Sequence, residues 1–326
     1  MKKSLLMLQA LCAVTCCLAV TSHAQTLKTV RVAHDIWVGY AGYYVALDKK
    51  FFKDAGLKVV DKTFNMPADG IVPLIQGDVD IHLSTLDTFL AAESHSPGNI
   101  RMVALVDSSN GADAVIAKSS IPDLAALKGK TVGVSLGQTS HFLLLKGLAE
   151  KKVPVSDLKL VNMNADAAGN AFAAGKLDAA VTWEPFVTQG LSKGGKVLYS
   201  SSDAPDTIIN AVAVKPKTLE IKRPEVIAFL KAYFRGVDWA LQNPAAAAVI
   251  VGKALQQKPD EMRAMMAKDK LYTQAESVAL IGTAAAPGKV VITTGEVGDF
   301  MLANKVISRK ANAAELFDAS LLEELK

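Results

Sequence analysis

Apolar residues along this chain alternate between two spacings. In TVRVAHDIW, residues 29–37, Val30 and Val32 alternate with polar neighbours, the period of a strand. Residues 42–56, GYYVALDKKFFKDAG, carry apolar side chains at helical spacing and close on Gly56. The spacing then predicts a strand over 57–64, a short helix over 68–77 closed by Gly77, a strand over 79–84, a helix over 85–94 and a strand over 100–106. Strands and helices in this alternation predict an α/β fold with a largely parallel sheet.

The pattern restarts after residue 120. IPDLAALKG leads into a strand over 130–135, a helix that begins beyond Gly137, a strand over 158–163, a helix over 165–175 and a strand over 177–183. QGDVDIHLS and AGKLDAAVTW repeat one design, with Gly77 and Asp80 matching Gly175 and Asp178. Those four residues read as helix closure and turn formation. The residues just after each strand carry more chemistry: Ser84-Thr85-Leu86-Asp87 in one half and Thr182-Trp183-Glu184 in the other. Both sit at predicted strand C-termini, where open α/β sheets bind ligands.

Another apolar strand covers 208–215, and the remainder reads as helical. Residues 223–242 place Val226, Ile227, Leu230, Phe234, Val237 and Leu241 on one stripe, and Asn243 with Pro244 reads as the start of a further helix. A helical tail of this kind has no sheet of its own and is expected to pack on the first lobe. The expected organisation is a first lobe over 25–112, an inserted second lobe over 113–212, and the first lobe resumed over 213–326. The chain would cross near Ala112–Ala117 and again near Asn210–Val214. Two lobes joined by two crossings suggest a hinged trap that closes on a ligand as a monomer.

The first 24 residues stand apart. Lys2 and Lys3 precede an apolar run, and Ser22-His23-Ala24 supplies a small-x-small ending, so a secretory signal cleaved after Ala24 is expected. All three cysteines, Cys12, Cys16 and Cys17, fall inside it. The mature chain is thus expected to lack disulfides, thiolate metal sites and a cysteine nucleophile, and to work outside the cytoplasm, in the periplasm. Without Lys2 and Lys3 the formal charge drops from +4 to +2, and no basic cluster appears, which argues against a nucleic-acid partner.

Catalytic motifs fail on context. Gly133-Val134-Ser135-Leu136-Gly137 matches G-x-S-x-G, yet His141 is the only histidine after Ser135 and no acid lies between them. Gly129-Lys130-Thr131 ends like a phosphate loop but leads into a strand, with Leu124 where a glycine belongs. The histidines show no metal-site spacing, and nothing calls for a cofactor. Gly137-Gln138-Thr139-Ser140-His141 stands before a helix, with Thr139 or Ser140 as N-cap. Free N–H groups and the dipole there suit an anion, although plain helix capping explains the pattern equally well. Trp37 and Trp183 each follow a strand, one per lobe, beside Asp35 and Glu184. Such a pair would wall a small organic ligand, and an acid beside it would suit an ammonium group.

Several stretches carry a family resemblance: VRVAHDIWVGYAGYYVALDKKFFKDAGL, DVDIHLSTLDTFLA, DSSNGADAVIAK, LKGKTVGVSLGQTSHFLLLKGL and LDAAVTWEPFV. The chain resembles the periplasmic substrate-binding proteins of the nitrate/sulfonate/taurine/bicarbonate class of ABC importers. The resemblance implies a type II periplasmic-binding-protein fold, two mixed sheets flanked by helices with the ligand cleft between lobes, and a membrane permease as partner. It carries ligand-binding roles to Asp35, Trp37 and Tyr40, to Ser84, Thr85 and Asp87, to Ser109 and Asn110, to Thr139, Ser140 and His141, and to Trp183 and Glu184. Ala41-Gly42-Tyr43 departs from the proline-then-apolar pattern of many members, and Lys50 replaces a common glycine. An organosulfonate such as taurine or an alkanesulfonate is the expected ligand, because Asp87 and Glu184 would repel a bare anion but attract an amine. Those acids could instead pair with a nearby Lys or Arg. Nitrate, bicarbonate or a thiamine-pyrimidine precursor are alternatives. A pyrimidine-synthase-like enzyme is disfavoured by the absence of cysteine from the mature chain.

Overall fold

The computed structural model describes residues 27–283 and 285–325. The expected signal segment and its cleavage point lie outside them. Eleven strands form two sheets among the described residues. They are β1 (Lys28–His34), β2 (Leu57–Thr63), β3 (Ile81–Thr85), β4 (Arg101–Ser109), β5 (Asp113–Lys118), β6 (Thr131–Val134), β7 (Lys159–Asn162), β8 (Ala179–Trp183), β9 (Gly195–Ser200), β10 (Ile209–Val214) and β11 (Asp269–Leu271). The first sheet has the order β11-β4-β10-β3-β1-β2 and the second β7-β6-β8-β5-β9. Both are mixed. β10 runs antiparallel to β3 and β4, and β5 runs antiparallel to β8 and β9.

The chain leaves the first sheet after Ser109 and enters the second at Asp113. It leaves the second after Ser200 and is back in the first by Ile209. The crossings are therefore residues 110–112 and 201–208, both earlier than the hydrophobic pattern suggested. DAVIAK is a strand of the second sheet rather than a connector, and INAVAV is already a central strand of the first. The helical tail also contributes a strand, β11, too short for periodicity to reveal. No helix among the described residues is long and apolar enough to cross a membrane.

The repeat seen in sequence is a matched clamp. Asp80, just before β3, accepts from the Arg31 backbone N–H at 2.9 Å and from its guanidinium at 2.7 and 3.1 Å, with Lys222 Nζ also at 2.9 Å. Asp178, just before β8, accepts from Thr131 N and Oγ1 at 3.1 and 2.9 Å and from Lys118 Nζ at 2.8 Å. In both lobes an aspartate just before one strand satisfies an N–H of the neighbouring parallel strand. Gly77 and Gly175, three residues earlier, take φ of 83° and 76° and end their helices. The clamps lie at the ends of the parallel strands remote from the interlobe space.

The tail's long helix, Pro216–Gln242, leaves helical geometry at Lys222, two residues before Pro224. Its buried stripe contains Val226, Phe229, Leu230, Tyr233, Phe234 and Val237. Ile227 is only half-buried and Leu241 is 48% exposed, so the apolar face is rotated from the expected one. Asn243 is the N-cap residue of the following helix, Pro244–Leu255, with Pro244 at its first position, but its side chain makes no cap bond there; its Nδ2 donates back to Trp239 O of the preceding helix. The long helix packs on helix Ala41–Asp48. A Cβ on Gly236 would collide with Gly42 O, and one on Gly42 would collide with the Val237 side chain. That approach gives Gly42 a packing reason.

Asp80 offers a stability test. Burial raises its carboxyl, but the hydrogen bonds from Arg31 and Lys222 outweigh burial and hold it below the usual carboxylate range. The clamp's contribution is present above the unfolded pKa of about 4 and is lost as pH falls through the lower folded value. Asp80→Asn should cost about 2 kcal/mol by urea unfolding at pH 7, with the gap to the unaltered protein closing in acid. Asp178→Asn, at a more exposed ion pair, should cost under about 1 kcal/mol. Equal, small losses at both sites would show that the clamp at Asp80 contributes nothing beyond a surface pair.

Candidate functional site

One cavity draws on both sheets. It holds only about 20 Å³ of free space between Asp35, Trp37, Pro67, Thr85 and Asn210 of the first lobe and Asp113, Thr139 and Trp183 of the second, with Ile208 on the return crossing. Larger depressions lie on the outer surface, such as one of about 240 Å³ bounded by Ile281, Phe317 and Glu323, which involves one lobe only.

Strand direction determines which residues arrive there. In a parallel strand the C-terminal end faces the gap, which brings in Asp35, Thr85 and Trp183. In the two crossover strands the direction is reversed, so their first residues face the same gap. Asp113 pairs with Trp183 across β5 and β8, and Asn210 pairs with Thr85 across β10 and β3. Asp113 and Asn210 were therefore missed by a search confined to strand C-termini. An acid or amide opening an apolar run after a crossing is the sequence signal that could have found them.

Below the first-lobe wall lies a hydrogen-bonded stack. Trp37 Nε1 donates to Asp107 Oδ2 at 2.8 Å, and Asn210 Nδ2 donates to Asp107 Oδ1 at 2.7 Å. Tyr40 Oη donates to Asp35 Oδ1 at 2.8 Å and lies 3.2 Å from Asn210 Oδ1. Asp269 of β11 sits against Asp107. A Cβ on Gly39 would meet an oxygen of each carboxyl and Trp37 Nε1 within 2.5 Å, so only glycine lets this loop fold over them. Both Asp269 oxygens lack a partner. Burial, together with the charge of Asp107, pushes the Asp269 carboxyl well above the usual range. Burial likewise pushes Asp107 up to about 7, against the bonds from Asn210 and Trp37. Such a pair keeps at least one proton.

The second-lobe wall differs from the expected anion cradle. The N-cap of helix Thr139–Glu150 is Gln138, and neither Thr139 nor Ser140 caps it. Thr139 Oγ1 instead crosses the gap to the Asp87 carboxyl, at 3.0 and 3.2 Å, and to Thr85 Oγ1 at 3.0 Å. A carboxyl of the protein itself thus faces this helix start. Ser140 Oγ accepts from Ser135 N at 3.2 Å. His141 Nδ1 accepts from Gly137 N at 3.2 Å, and burial lowers its pKa, which disfavours the imidazolium. Ser140 and His141 hold the loop and do not line the cavity.

Glu184 also departs from its expected role. It is fully buried, with Lys268 Nζ at 2.5 Å and Thr188 N and Oγ1 at 3.0 and 2.9 Å. Both of its oxygens have protein partners, one of them in an ion pair between lobes. Phe142 and Phe300 make a second bridge, edge to face at 5.5 Å. Tyr40 supports Asp35 from behind, Ser84 Oγ donates to Pro67 O, and Asp87 is reached only through Thr85 and Thr139. Ser109 sits at the outgoing crossing, bonded to Ser201 and to Asp113 N, whereas Asn110 is exposed beyond it. Of the residues expected from sequence, Asp35, Trp37, Thr85, Thr139 and Trp183 line the cavity.

Two polar atoms on the lining have no partner: Asp113 Oδ2 and Trp183 Nε1. Their residues are 5% and 4% exposed. Burial is the main cause that pushes Asp113 up to about 7, with Asp107, Asp87 and Asp35 adding repulsion against a bond from Ser109. The lining contains two aspartates and no lysine, arginine or histidine. Among the described residues no cluster of three or more histidine, cysteine or acidic side chains could hold a metal ion.

Comparison with known proteins places these features in context. A family profile described as NMT1/THI5 like matches residues 37–247. The taurine-binding periplasmic protein of Escherichia coli (strain K12) is 29% identical over 204 residues, covering 60% of this chain and 62% of that protein. A putative binding protein of Brucella abortus (strain 2308) is 26% identical over 270 residues, 78% of this chain and 82% of the relative. Among solved structures, the alkanesulfonate-binding protein SsuA from Xanthomonas axonopodis pv. citri bound to MOPS superposes with a TM-score of 0.75 at 16% identity, covering 89% of this chain and 98% of that one.

The buried acids predict an unusual pH response. Asp107 and Asp113 have folded values near 7, above an unfolded value near 4. Their stabilising contribution is complete below about pH 4 and is lost as pH rises through about 7. The melting temperature of the ligand-free protein should fall between pH 5 and pH 8, and Asp113→Asn should flatten part of that slope. An unchanged slope in the variant would mean that Asp113 is ionised throughout.

Proposed function

We propose that this chain, which belongs to the NMT1/THI5-like family, is the solute-binding component of an ABC importer. It captures one small solute between its lobes outside the cytoplasm and presents it to a membrane permease. The observation that carries the reading is the interlobe cavity itself: two tryptophans, one from each lobe, line it, and among the described residues its lining includes a buried carboxyl oxygen and a buried indole N–H without partners. Those atoms are desolvated without compensation until a solute pairs with them. The E. coli relative's taurine and the SsuA relative's alkanesulfonates make a small organosulfonate, taurine first, the ligand to test.

Binding without chemistry fits the local geometry. The G-x-S-x-G stretch is held by Ser140 Oγ on Ser135 N and by His141 Nδ1 on Gly137 N, which are loop-fixing contacts. A monomer suffices, because both cavity walls belong to one chain. Capture follows from hinge motion at residues 110–112 and 201–208, with the Thr139–Asp87 and Lys268–Glu184 contacts broken in the open form.

Adding taurine should therefore reduce the radius of gyration in small-angle scattering. It should also alter tryptophan fluorescence, since two of the three tryptophans line the cavity. A solute shown by calorimetry to bind, yet leaving both signals unchanged, would contradict closure around a ligand.

A further inference from the structure

We propose that the recognition group of the ligand is a protonated amine, seated on Asp113 between Trp37 and Trp183, with an acceptor on the same molecule taking the Trp183 indole N–H. The inference rests on the solute-binding reading above and names the chemical class of the solute. Asp113 and Trp183 are directly paired across β5 and β8, so their side chains share one face of the sheet, and both residues line the cavity. One offers an oxygen and the other an N–H, yet they make no hydrogen bond to each other. A molecule that donates to one and accepts from the other satisfies both.

The charge balance selects the sign. Asp35 and Asp113 lie on the lining, Asp87 lies one hydroxyl behind it, and Asp107 and Asp269 lie beneath Trp37. Lys268, which reaches between the lobes, is paired with Glu184. A bare anion would find no counter-charge on the lining. An ammonium would meet Asp113 directly, keep Asp35 within the same small space and face two indole rings. It would also favour the ionised form of Asp113 against the burial that disfavours it. The sulfonate of a taurine-like molecule is then tolerated at the indole N–H rather than required.

Calorimetry on the full mature chain at pH 7 separates these contributions with three probes: ethanolamine, which has the amine alone; taurine, which has amine and sulfonate; and ethanesulfonate, which has the sulfonate alone. Ethanolamine and taurine should bind, and ethanesulfonate should be weaker than taurine by tenfold or more. Asp113→Asn should weaken both amines about tenfold to hundredfold. The probe comparison on the unaltered protein stands even if the variant folds poorly. Ethanesulfonate binding as tightly as taurine, with ethanolamine silent, overturns the amine site while leaving the solute-binding reading in place. Amine affinity unchanged by Asp113→Asn, in a variant that melts normally, removes Asp113 from the role. No binding of any probe at millimolar concentration counts against both.

Discussion

A carboxyl group removed from water must be paired, protonated or matched by a molecule that arrives later. Asp35, Asp87, Asp107, Asp113 and Asp269 all lie buried in or beneath the space between the two sheets, and each meets that demand differently. Asp87 is held by Thr139 across the gap and Asp35 by Tyr40. Asp107 takes the indole of Trp37 and the amide of Asn210, and shares its surroundings with Asp269. Asp113 keeps one oxygen unpaired at the cavity. The stack fixes the position of Trp37, and through Asn210 and Tyr40 it also fixes Asp35. The shape of the first-lobe wall therefore follows from how buried acids are satisfied.

The backbone decides which acids meet. Each lobe needs one strand that runs against its neighbours, because the chain passes between sheets twice. Those strands, β5 and β10, begin at the cavity, and their first residues contribute Asp113 and Asn210. Where the lobes meet, closure is carried by a few direct contacts: Thr139 to Asp87, Lys268 to Glu184, and Phe142 on Phe300. A limited set of polar and aromatic contacts is compatible with opening, whereas a continuous apolar interface would resist it. The Asp80 and Asp178 clamps hold the opposite strand ends, so each sheet can move as a unit.

Much of the architecture was legible in the hydrophobic pattern. Alternating strand and helix periods gave the α/β class, and the Gly77-Asp80 and Gly175-Asp178 repeat marked the two lobes. Short or reversed elements were not legible. β11 has three residues, and DAVIAK carries the same apolar pattern whether it connects lobes or pairs within one. The helix stripe was displaced because Phe229, stacked on Phe52, and Tyr233, edge to face with Phe234, bury in place of Ile227 and Leu241. Of the residues the sequence singled out, the two tryptophans, Asp35, Thr85 and Thr139 come together on the cavity lining. Glu184 pairs with Lys268, the alternative the sequence left open for that acid, and His141 accepts from Gly137 N, which residue type and position do not show. Lys50 replaces a glycine that the family resemblance leads one to expect. The structure gives that position φ of 63°, the left-handed region where glycine is unstrained and lysine is not.

The central claim is that the lobes close on a small molecule carrying a basic nitrogen. Native mass spectrometry of freshly purified mature protein tests this directly, since a tightly held solute travels with its binder. The account predicts a population heavier by one small solute, whose released form contains an amine and restores that mass when added back. A carried solute with no basic nitrogen, such as nitrate or a simple alkanesulfonate, would contradict it.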